Sequence, residues 1–136
     1  MALATQINTL LDRWRAQLAL SSWSAKTVAY PNKQFDPPSD DIWFRVAVFP
    51  GESRAASLST ATRRWRNQGV LIVEVYVPTG QTDEDAVAIA DDVVGFFRGV
   101  DLTGIVMQAP SIERVGLDEG FYRMNISIPY HADDVV

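Results

Sequence analysis

The segment Val70 to Val77 constrains this chain most. Six of its eight positions are Val, Leu or Ile. Such a β-branched run suits the centre of a sheet covered by other elements. Pro78-Thr79-Gly80 then closes it as a turn. Whatever else the chain forms must supply strands to flank this one and helices to cover it.

Two segments have the spacing for cover. Leu3, Ile7, Leu10, Leu11, Trp14 and Leu18 recur at intervals of three and four, so Ala2 to about Leu20 reads as an amphipathic helix. Its opposite face carries Gln6, Asp12, Arg13 and Arg15. The second helix opens at Thr82, whose hydroxyl is placed to cap the Asp85 amide. Asp83, Glu84 and Asp85 follow, where the helix dipole favours negative charge. Ala86, Ile89, Ala90, Val93, Val94 and Phe97 form its buried stripe, and Arg98-Gly99 its end.

The remaining strands follow from alternation and turn residues. Ile42 to Phe49 places Ile42, Phe44, Val46 and Val48 on one face and Trp43, Arg45, Ala47 and Phe49 on the other. With both faces largely apolar, this strand is either covered on both sides or carries a face used in assembly. Gly104–Ala109, Ser111–Leu117 and Phe121–Tyr130 read as extended, with Asp118-Glu119-Gly120 turning between the last two. Residues 21–41 hold Pro31, Pro37 and Pro38 and read as a loop with a short extended piece at Thr27–Tyr30. Residues 52–68 are ambiguous; a β-hairpin arm is favoured over a short Ala-rich helix. Residues 131–136 are expected to fray. The fold class is therefore α+β. We expect a mixed, mostly antiparallel sheet with two helices packed on it and a protruding hairpin arm, all in one domain spanning residues 1–136.

Composition narrows the function classes. The chain has 136 residues and no cysteine, which removes disulfides, thiol nucleophiles and thiolate metal sites. Its formal net charge of −5 gives no general help in binding phosphates. No stretch is long and apolar enough for a membrane-spanning helix, and the N-terminus does not read as a signal peptide. The single histidine, His131, reads as a solvent-facing residue after a terminal strand rather than a triad base. Asp83, Glu84, Asp85, Asp91 and Asp92 read as a helix start and a solvated face rather than metal ligands. No phosphate-binding loop, dinucleotide fingerprint or nucleophile elbow occurs. No catalytic residue, metal site or cofactor is expected.

Two features stay unexplained by folding alone. Arg63-Arg64-Trp65-Arg66 is open to three readings: a nucleic-acid contact, a subunit interface, or a solvated strand start with Trp65 tucked inside. Trp43, Arg45 and Phe49 share a strand face on which Arg45 is hard to bury, the kind of surface a partner covers. These seven residues are the candidate interface with another subunit or partner.

The order of pieces also carries a resemblance. After the N-terminal helix come Tyr30-Pro31-Asn32 and Phe49-Pro50-Gly51. The run Arg63-Arg64-Trp65-Arg66-Asn67-Gln68-Gly69 then leads into Val70 to Pro78. A helix ends in Phe97-Arg98-Gly99, and the chain closes with Ile126-Ser127-Ile128-Pro129-Tyr130-His131-Ala132. In this order they resemble the small phage proteins of the tail-terminator (tail-completion) type, including the lambda-like terminators. The resemblance implies that the closing strand and the Gly69-led strand share one sheet. It further implies a non-enzymatic subunit of a hexameric ring that caps the tail tube, ends its polymerisation and offers a face to the head. Its expected partners are other copies of itself, the tail-tube protein and the head–tail connector proteins. DNA would pass through the ring without specific binding. The place implied is the head-proximal end of the virion tail, after assembly in the host cytoplasm. Candidate contact regions are the 52–68 arm and the 31–41 loop. A head–tail joining protein or minor tube subunit, and a cellular small-ligand-binding domain, remain alternatives.

Overall fold

The computed structural model describes residues 2–55, 64–80, 83–102 and 104–135. Their order is α1 (Leu3–Leu20), β1 (Thr27–Ala29), β2 (Trp43–Ala55), β3 (Arg64–Pro78), α2 (Glu84–Phe97), β4 (Asp101–Leu102), β5 (Ile105–Met107), β6 (Ser111–Asp118) and β7 (Phe121–Val135). The strands form one sheet in the order β1-β2-β3-β7-β5-β4, with β6 also on β7. Only β1 and β2 run parallel; the other pairs are antiparallel. This is the expected α+β architecture.

The central pair is β3 and β7. Their register runs from Arg64 opposite Val135 to Pro78 opposite Phe121 without a shift. The closing strand and the Gly69-led strand are therefore direct neighbours. β7 gives one flank to β3 and divides the other, its Phe121–Ser127 part pairing with β6 and its Tyr130–Ala132 part with β5. Pro129 sits at the division. Its carbonyl accepts the Gln108 amide at 2.8 Å, so its missing N–H points to the same flank and costs no bond with β3. At the β6–β7 turn, Glu119 and Gly120 both have positive φ, 48° and 85°, as a tight two-residue hairpin requires.

Both helices lie on one face. Trp14 of α1 meets Phe44 edge-on at 5.6 Å and Phe96 of α2 at 5.9 Å. Beneath them lie Val46, Leu71, Val73, Val75, Met124, Ile126 and Ile128, all buried. The stripe expected on α2 is buried throughout, with Phe96 added. In α1 the buried row is Gln6, Leu10, Trp14 and Leu18, which corrects the expectation that Gln6 faces solvent. The i, i+4 spacing that carries Leu10, Trp14 and Leu18 inward continues back to Gln6. Arg13, also expected outside, donates to the Phe96 carbonyl at 2.9 Å, a cation placed at the end of α2. The Thr82 cap lies outside the described residues. Asp83 makes no capping bond and instead pairs with Arg114 at 2.9 Å.

The frayed tail is a second correction. β7 continues through His131 to Val135, because β3 runs far enough beyond the core to pair with it. β2 and β3 remain antiparallel as far as Ala55 opposite Trp65, after a one-residue irregularity between Pro50 and Ser53. The expected arm thus begins as the ends of β2, β3 and β7 side by side. Residues 56–63 lie outside the described residues.

Gly69 stands where core becomes ribbon. It faces Tyr130, and a Cβ on Gly69 would fall 2.5 Å from the Tyr130 Cζ atom. Tyr130 is buried beside Leu10 and Ile105, so its ring cannot move aside freely. Gly69→Ala is expected to cost about 1–3 kcal/mol in urea unfolding. The Tyr130 hydroxyl has no hydrogen-bond partner among the described residues, and burial raises its pKa above the ordinary 10.0. The folded state thus favours the neutral phenol. Stability is full below pH 10.0 and falls as pH rises through the folded-state pKa. Tyr130→Phe is expected to weaken that alkaline loss, measured by unfolding between neutral pH and about pH 11.

Candidate assembly interface

The face without helices is divided by its own loop. From β1 the chain crosses this face through residues 30–41 before entering β2. Lys26 Nζ holds Asp41 Oδ1 at 2.7 Å, and the same oxygen accepts the Ile42 amide at 2.8 Å. These bonds keep the Asp41 carboxyl below its ordinary range and pin the two ends of the crossing together.

Under the loop sits an aromatic cluster. Trp43 and Tyr76, cross-strand partners, stack at 3.9 Å with planes 4° apart. Phe35 of the loop lies 5.1 Å from Trp43, and Phe121 meets both rings edge-on at 6.0 and 6.2 Å. Trp43 is only 4% exposed. Burial comes first among the causes that raise the Tyr76 pKa, followed by its hydrogen bond to Glu74 at 2.9 Å. Arg45 spans the cluster's margin. Its guanidinium lies 5.5 Å from the Trp43 ring and 4.0 Å from Glu74, while the side chain stays 54% exposed. Beside it a hollow of about 480 Å³ is bordered by Pro37, Pro38, Trp43, Tyr76 and Arg123.

Beyond the loop the same face is open. Phe49 is 53% exposed, and Ala47, Val70 and Ile72 are partly exposed next to it. Further out, Arg66 grips Asp133 through two bonds, at 2.9 and 3.2 Å. That pairing raises the already high Arg66 pKa, so the guanidinium stays charged.

The sequence candidates therefore separate. Trp43 is a core residue of the second face. Arg45 and Phe49 are exposed on it. Arg66 is engaged within the subunit, and Trp65 sits partly exposed on the ribbon. Arg64 starts β3, and Arg63 lies outside the described residues. Sequence reasoning missed Phe35 and Asp133, because one lies in a loop and the other in a presumed tail. It also passed over Ile112, Val115 and Leu117 on β6, which are 46%, 38% and 79% exposed. Their strand was recognised, but no periodicity says that a strand edge lacks a neighbour.

Among the described residues no three His, Asp or Glu side chains converge. His131 lies 3.1 Å from the Gln108 amide nitrogen.

The model of the phage tail terminator protein family matches residues 6–130. The chain belongs to that family. A solved protein structure is 26% identical, with a TM-score of 0.59 over 90% of this chain and 94% of the other. No curated protein matches. The terminator protein is thus a structural, virion-associated protein of a phage tail, and its family points to other tail and head proteins as partners.

Trp43 and Phe49 should behave oppositely on substitution. Trp43→Ala removes a buried, stacked ring and is expected to cost about 3–5 kcal/mol. Phe49→Ala is expected to stay within about 0.5 kcal/mol. Chemical unfolding of both variants checks this.

Proposed function

We propose that the protein is one subunit of a closed hexameric ring at the head-proximal end of the tail. The ring caps the finished tube, stops further polymerisation and presents the surface on which the head docks. Its work is mechanical, with no catalytic step. The observation that carries this reading is the open sheet face of a terminator-family subunit, with Phe49 exposed beside Arg45, Ala47 and Ile72. A rotationally closed ring needs head-to-tail contacts, in which one patch of each subunit meets a different patch of the next. Exposed aromatic and arginine side chains are the residues such contacts use as anchors. The ribbon ends of β2 and β3 are the other candidate, in contact with a neighbour or the tube. The net charge of −5 suits a channel that passes DNA while repelling its phosphates.

The test is solution mass by light scattering across a concentration series, with negative-stain images, alone and with purified tail tubes. A closed ring with a central hole, or one formed on tube ends, supports the reading. A monomer that also fails to bind tubes overturns it. Phe49→Asp is expected to weaken ring or tube association by about tenfold or more while the fold stays intact. Reversal of Arg63, Arg64 and Arg66 together should do the same, and normal rings and tails with all three reversed would remove the arm from the interface.

A further inference from the structure

We infer that the open edge of β2, from Val46 to Pro50, is the seat for strand β6 of a neighbouring copy, so that the sheets of adjacent subunits join edge to edge. This inference rests on the ring reading and names the two patches that would meet. β1 covers β2 only as far as Arg45, opposite Ala29. Pro31 has no N–H with which to continue a ladder, and the chain leaves for the second face. Among the described residues β2 has no neighbour on that side beyond Arg45. In its place lies a trough of about 440 Å³, bordered by Tyr30, Lys33 and Phe35 and by Ala47, Val48 and Phe49. An edge of this kind keeps backbone donors and acceptors for an added strand.

β6 is a free strand on the other side of the sheet, pairing only with β7 among the described residues. Its two faces match those of the β2 edge. Ile112 and Leu117 lie opposite Ile126 and Tyr122, on the helix side, and are 46% and 79% exposed. At the β2 edge the helix side offers Val48 and Leu11 of α1, both only partly buried. Glu113 lies opposite Asn125, which faces Glu74, and so belongs to the second face. There the β2 edge offers Arg45 and Lys33, the two charged residues that line the trough. Asp36 of the same loop is outside that lining. Glu74 lies 4.0 Å from Arg45, beyond hydrogen-bond distance, and the same Glu74 oxygen accepts the Tyr76 hydroxyl at 2.9 Å. On and beside β6, Arg114 is paired with Asp83 and Asp118 with Arg123, which leaves Glu113 and Glu119 as the exposed carboxylates to meet two cations.

Strand direction agrees. β6 opposes β7, β7 opposes β3 and β3 opposes β2, so copies in the same orientation present β6 antiparallel to β2. The Asp118 end of β6 then arrives where β1 stops, which carries Glu119 to Lys33 and Arg45. Within one subunit β3 and β7 separate the two edges, so the joint is between copies. It unites unlike patches, as a head-to-tail ring requires.

The experiment reverses charge on each side in the full chain. One variant carries Lys33→Glu and Arg45→Glu, the other Glu113→Lys and Glu119→Lys; all four positions are exposed, and urea unfolding checks each fold. Rings are counted by light scattering and negative stain, with and without tail tubes. Each variant alone is expected to lose rings by about tenfold or more, because like charges meet at every joint. An equimolar mixture is expected to regain them, since alternating copies restore opposite charges at every joint. Backbone deuterium exchange over residues 46–49 is expected to slow by about tenfold in rings. Wild-type levels of rings from either variant alone, a mixture that forms none, or unchanged exchange at residues 46–49 overturns this inference and leaves the ring reading in place. A wild-type chain that gives only monomer under both conditions overturns both.

Discussion

The β3–β7 ladder is the constraint on which the rest depends. Every other strand is attached to one of its two members directly or through a neighbour, and both helices rest on its face. Because side chains alternate with period two, a slip of one residue would turn Leu71, Val73 and Val75, or Met124, Ile126 and Ile128, away from the helices. Burial of those six fixes the register locally. Gly69 opposite Tyr130 fixes it again, since the tyrosine ring occupies the space any Cβ at that position would need. A hydrophobic pattern and a steric key therefore select the same pairing.

The second face uses one strand for two purposes. At its start, β2 buries Trp43 beneath a loop whose ends are tied by Lys26 and Asp41. Six residues later, Phe49 on the same side is 53% exposed. The sequence offered cover on both sides or assembly as alternatives; cover is found at the Trp43 end, and the Phe49 end is exposed. For a terminator-family subunit this means that the surface left after folding is asymmetric, as polymerising contacts between unlike patches require.

Most of the scaffold was legible in the chain. The Val70–Val77 run, the two helical stripes and the Asp118-Glu119-Gly120 turn are local signals, written within a few residues of where they act. What escaped depended on distant partners. His131 to Val135 look like a tail until Arg64 to Gln68 are known to extend alongside. Gln6 is polar, and only the position of the sheet shows that its side of α1 is the inner one. Of the candidate interface, Phe49 and Arg45 were legible because a strand face with both apolar and charged members is hard to bury. Trp43 looked equivalent by alternation, and its different fate rests on Phe35, which sits in a loop without periodicity. The ridge on β6 was invisible for a topological reason: whether a strand lies at an edge is a property of the whole sheet.

The unbroken register of β3 and β7 has a mechanical consequence. A ribbon hinged to its domain by a loop swings when it is pulled, and a ribbon peeled sideways yields one bond at a time. Here the two strands pass from the core into the ribbon with no bulge in their mutual pairing. Tension along the strand axis is then carried in shear, shared among many ladder bonds at once. The ribbon is a stiff lever anchored in the hydrophobic core, and a load at its end is delivered to the body of the subunit rather than dissipated at a joint.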